Sequence, residues 1–100
     1  MTRYCPMLAA LLLLAVLAPA VLAEEQPIEL KPGPGQEETQ NSCGACHSLD
    51  YIRMNSPFLT AEQWKGVVTK MRQAYGAPVE DADAMAIIAY LGASYAGGAK

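Results

Sequence analysis

Cys43-Gly44-Ala45-Cys46-His47 holds two of the three cysteines and the single histidine of this 100-residue sequence. On a helical turn, residues i, i+3 and i+4 share one face. Two thiols and an imidazole at that spacing can therefore meet one flat partner, the sulfurs along its edge and the ring beneath its centre. Cys-x-x-Cys-His is the attachment pattern of haem c. The reading assigns Cys43 and Cys46 as thioether-forming residues and His47 as the proximal iron ligand.

Three other readings fit less of the pattern. A Cys43–Cys46 disulfide closes a loop too short to contribute much by chain entropy, and it leaves His47 unexplained. A thioredoxin-like pair belongs in a strand-helix-strand setting, whereas helical patterns follow here. Structural zinc takes four ligands, mostly Cys or His, and too few are present once Cys5 is set aside.

Upstream, Arg3 is the only charged residue before an apolar run from Met7 to Val21. With Val21-Leu22-Ala23 ahead of Glu24, this has the form of a secretory signal peptide over residues 1–23, cut after Ala23. The run sits at the short limit for spanning about 30 Å of hydrocarbon and contains Pro19, so a stable membrane anchor is the poorer fit. Cys5 precedes the run, which disfavours a lipoprotein anchor.

Cleavage removes Arg3 and Cys5. It leaves 77 residues with six basic and ten acidic side chains, a formal charge of −4. That sign argues against nucleic acid and anionic membrane as partners and is compatible with docking on a basic protein face. The 52% apolar content of the full sequence is inflated by the leader. A chain this small needs a staple, and covalent haem would supply one. Without it the mature chain is expected to be largely unfolded.

Residues 24–37 carry Pro27, Pro32, Gly33, Pro34 and Gly35, which predicts an extended, solvated arm. The domain proper is then 38–100. A helical turn is expected from near Glu37 into the motif, followed by a loop from Asp50 to Pro57. Thr60 is a good N-cap, with Glu62 in the first turn. From there Trp64, Val67, Val68, Met71 and Tyr75 form one stripe, with Lys65, Lys70 and Arg72 mostly off it. Gly76 and Pro78 end that helix. A last helix begins near Glu80-Asp81 and carries Ala84, Ile87, Ile88, Leu91 and Tyr95. No strand-like alternation or repeat is visible. The expected fold class is all-α, with three to four helices around one covalently bound haem, an arrangement that resembles a small cytochrome c-like fold.

With no second histidine, the sixth iron ligand falls to a methionine, whose soft sulfur favours the ferrous state. Met71 lies on the inward stripe and is the first choice. Met54, on the expected loop, is the alternative, and Met85 is expected to pack. Trp64 and Tyr75 are read as walls of the cofactor pocket. Arg53 is a candidate partner for a haem propionate or a docking protein, though a plain solvated arginine fits equally.

Cys43 through Ile52, Trp64 with Val68-Thr69-Lys70-Met71, Tyr75-Gly76-Ala77-Pro78 and Tyr90-Leu91 together resemble the monohaem cytochrome subunit of bacterial periplasmic sulfite dehydrogenases. The similarity spans residues 40–96, and the Trp-to-Met helix is also similar to haem domains of quinohaemoprotein amine dehydrogenases. The resemblance implies His47 and Met71 as axial ligands. It also implies a periplasmic, non-catalytic subunit that takes electrons singly from a molybdenum-cofactor sulfite-oxidising subunit and passes them to a soluble cytochrome c. A free monohaem cytochrome, the haem subunit of another dehydrogenase, and a haem sensor or peroxidase are the alternatives. Amino-terminal sequencing of the exported product is expected to begin at Glu24, and a product that begins at Met1 would reject the leader.

Overall fold

The computed structural model describes residues 26–98, so the leader expected over 1–23 lies outside the described residues. Four α-helices follow one another: α1 Gln36–Gly44, α2 Asp50–Asn55, α3 Ala61–Gln73 and α4 Asp81–Ser94. No strand occurs among the described residues, and the fold is all-α. This order and packing are consistent with a small cytochrome-like fold. α1 and α3 each pack on α4 and not on one another. The last helix is thus the spine of the domain, and a gap is left between the two that flank it.

α3 begins where its sequence says it should. Thr60 is extended, and its Oγ1 accepts from the Gln63 amide at 3.2 Å. The Gln63 side chain accepts in return from the Thr60 amide at 2.9 Å. This reciprocal capping box satisfies two N–H groups that the helix itself leaves open. Glu62 in the first turn and Lys70 and Arg72 in the last complement the helix dipole. The helix stops at Gln73. Gly76, at φ +66°, adopts the left-handed conformation that turns the chain away, and the Ala77 amide returns to the Met71 carbonyl at 3.0 Å.

Ala84, Ile87, Tyr90 and Leu91 are buried along α4. Ile88 is half-buried beside them. The expectation that Met85 packs is corrected, since it is 73% exposed. It follows Ala84 directly in the helix, about 100° round from that buried position, and so faces away from both neighbouring helices.

Two further expectations are overturned. The segment from Asp50 to Pro57 is not all loop, because α2 occupies its first six residues and buries Ile52. Nor is the arm solvated along its length. Leu30 is 2% exposed within the core. Next to it, the Lys31 amide donates to the Tyr95 hydroxyl at 2.8 Å, while the Tyr90 hydroxyl donates to the Lys31 carbonyl. Two tyrosines thereby take the place of a neighbouring strand for this stretch of backbone. Lys31 Nζ lies 4.8 Å from the centre of the Tyr95 ring and donates to the Ser94 carbonyl at 3.0 Å.

Gly35, at φ +91°, brings the start of α1 so close to α4 that a Cβ there would lie 2.6 Å from the Ala86 carbonyl oxygen. α1 thus starts at Gln36, near Glu37 as expected, against a surface only glycine can approach.

Burial pushes the Tyr90 phenol up to about 12, with the adjacent Tyr95 adding to the shift. The unfolded phenol ionises near about 10. Since the folded value is the higher one, this contribution to stability is complete below about pH 10 and is lost as pH rises towards 12. Tyr90→Phe is expected to cost about 1 kcal/mol at neutral pH through the bond lost to Lys31. It should also flatten the alkaline fall in melting temperature. Equal alkaline slopes for the two proteins would contradict this account.

Candidate functional site

The gap between α1 and α3 is an apolar cavity. Its walls come from Ser42, Cys43, Cys46, His47 and Ser48 at the end of α1 and the turn beyond, and from Tyr51 and Ile52 of α2. α3 adds Trp64, Val67, Val68, Met71 and Arg72, the connection adds Ala77 and Val79, and α4 adds Ile87 and Leu91. All four helices take part, so the cavity exists only in the folded chain.

α1 ends at Gly44, but Ala45 keeps helical angles (φ −64°, ψ −31°) and the His47 amide donates to the Cys43 carbonyl at 3.2 Å. The i to i+4 geometry thus persists through the motif. Cys43, Cys46 and His47 reach the same cavity for that reason. Cys43 is half-buried, whereas Cys46 and His47 are exposed at the mouth. Both thiols are free. Burial raises the Cys43 thiol above its usual value.

Trp64, 1% exposed, forms part of the inner wall. Its indole N–H donates to the Tyr95 carbonyl at 2.8 Å, which fixes the ring plane. Tyr51 stands edge-on to it, with centroids 6.3 Å apart and planes at 81°. Met71 is half-buried and lines the cavity together with the motif residues. Among the described residues, no group of three or more His, Cys, Asp and Glu side chains is arranged to hold a bare metal ion.

The structure separates the expected site residues into two sets. Cys43, Cys46, His47, Met71 and Trp64 meet at one cavity. Tyr75 does not join them. α3 has already ended, and the tyrosine is 68% exposed with Lys70 Nζ 5.9 Å from its ring centre. Met54, 70% exposed at the end of α2, is also outside the lining. Arg53 forms an exposed pair with Asp50 at 4.0 Å rather than reaching the cavity.

Arg72, read from the sequence as lying off the inward stripe, lines the cavity after all. The signal was its position four residues after Val68, which puts the two on one helical face. Ile52 and Val79 are further wall residues that the sequence pattern does not mark. Neither lies in a periodic stretch long enough to mark it.

Neither a protein-family model nor a curated protein matches this chain. The reading of the site accordingly rests on its own residues. Trp64→Phe removes the indole N–H and strands the buried Tyr95 carbonyl, and is expected to cost about 1–3 kcal/mol. Chemical denaturation with unchanged m-value would measure it. An unshifted midpoint would show that the bond does not hold the wall in place.

Proposed function

We propose that this chain is a c-type cytochrome that carries electrons. The observation that supports this most is the meeting of Cys43, Cys46 and His47 with Met71, distant in sequence and on another helix, around one apolar cavity. The donor set is specific. Two thiols suit thioether tethers to a porphyrin edge, and an imidazole with a thioether is the ligand pair of electron-carrying haem. A covalently held haem c supplies reversible one-electron chemistry at iron.

The chain's own residues do the remainder. Cys43 and Cys46 would tether the group, and His47 and Met71 would be the donors to its iron. Trp64, Val68, Ile87 and Leu91 keep water from the inner face, which favours the state of lower net charge. On this reading the protein is not an enzyme. It takes electrons from a molybdenum-cofactor sulfite-oxidising subunit and delivers them to a soluble cytochrome c, in keeping with the resemblance carried by Ser48 to Ile52 and Tyr75 to Pro78. No described helix is long and apolar enough to cross a membrane. With the signal-like leader, this is compatible with a periplasmic setting.

Protein taken from the periplasm of its own host is expected to show a covalent haem by mass and by the pyridine haemochrome spectrum. It should co-purify with a molybdenum protein and become reduced on addition of sulfite. Met71→Ala should abolish the weak sulfur-to-iron absorption band, while Met54→Ala leaves it intact. Mature protein without added haem mass rejects the proposal. A haem-loaded chain that purifies alone and ignores sulfite would leave a free cytochrome and remove the sulfite-oxidising partner. Rapid carbon monoxide binding at neutral pH would point to an open iron site and a sensor or peroxidase.

A further inference from the structure

Among the described residues that line the cavity, Arg72 is the only Lys, Arg, Asp or Glu. It also lines a neighbouring polar groove with Thr69, Gln73, Glu80 and Asp81, and so stands at the boundary between the two. Its Nε–H donates to the Val79 carbonyl at 3.0 Å, and Nη2 donates to Asp81 Oδ1. These contacts position the guanidinium without exhausting it. Arginine has five N–H donors, and these two bonds leave three for another acceptor. The Asp81 side chain is 93% exposed, whereas that of Arg72 is 32% exposed. Water competes for the carboxylate far more than for the guanidinium.

A permanent cation at the border of an apolar cavity, with donors to spare, is suited to an anion brought in from the cavity side. We propose that Arg72 binds a carboxylate of the group held there. On the cytochrome reading, on which this inference rests, that carboxylate is a haem propionate. A porphyrin tethered through its vinyl edge brings two carboxylates with it, and a carboxylate drawn out of water needs a charged hydrogen-bonding partner. Arg53 does not meet that need from its exposed pairing with Asp50. Arg72 is therefore a positioning residue for the cofactor. Its charge also opposes the additional positive charge of ferric iron and raises the reduction potential.

Redox titration and resonance Raman spectroscopy of the haem-loaded chain test this. Arg72→Gln is expected to lower the potential and shift the propionate bending modes, and Arg72→Lys to recover most of the potential. Asp81→Asn, which removes a competing carboxylate, is expected to raise it. The sulfur-to-iron band should persist in all three, which separates lost charge from displacement of Met71. An unchanged potential with unchanged propionate modes in Arg72→Gln overturns the assignment, as does an equal fall in Arg72→Lys. If Arg72→Gln does not accumulate, the propionate modes of Arg72→Lys decide: a shift is expected, and identity with wild type overturns the proposal. Wild-type protein that carries no haem is a different result, because it defeats the cytochrome reading itself.

Discussion

Tyr95 joins three pieces of chain that otherwise have no reason to stay in register. Its amide closes α4 on the Leu91 carbonyl at 2.9 Å, its carbonyl accepts the Trp64 indole, and its hydroxyl accepts the Lys31 amide. The residue is 4% exposed, so these bonds form where water competes poorly and where a missing partner is costly. The bond from Trp64 fixes α3 against the end of α4. That in turn sets where Val68 and Met71 stand relative to Ile87 and Leu91. The cavity wall is therefore a consequence of a polar anchor at one end of an apolar interface.

The helices around that anchor do not close on themselves. α1 and α3 each pack on α4 and not on one another, and the space between them is lined mostly by apolar side chains, with Arg72 at its border. An apolar surface of this kind is stabilised by a partner of matching shape. A domain of this size has a small core of its own, and small folds commonly add a covalent or metal-based staple. On the cytochrome reading, the same flat apolar group would satisfy both needs. It would give the two unpaired helix faces a common surface and be tethered to one of them through Cys43 and Cys46.

What was legible in the residues followed signal length. α3 could be read because a cap, an apolar stripe and a glycine beyond its end agree, and the structure adds the reciprocal bond to the Gln63 side chain and ends the helix two residues short of Tyr75. The attachment turn could be read because its chemistry is local. Tyr75 was misplaced by continuing the stripe past the helix, whose last residue is Gln73, so that periodicity no longer governs its direction. α2 is six residues long with one buried side chain, too short for any period to show. The arm was misread for a different reason. Its prolines and glycines do rule out a helix, but they say nothing of whether an extended segment is gripped. The grip comes from Tyr90 and Tyr95, about sixty residues away in sequence.

The site is also asymmetric in depth, and that asymmetry bears on the proposed role. Trp64, Val68, Ile87 and Leu91 are buried, while Cys46 and His47 are exposed at the turn after α1, beside a Tyr51 that is 48% exposed. A group tethered to those thiols would present its attached edge outward and its inner face to a dry wall. For a carrier, that division has a physical advantage. On that reading the inner wall would let the environment of the redox centre change little between oxidation states, while the outer edge would lie within reach of another protein without any lid having to move. The acidic charge expected of the exported chain would then select partners with a basic face. Arg72, held at the cavity's border rather than at its mouth, would leave that outer edge free.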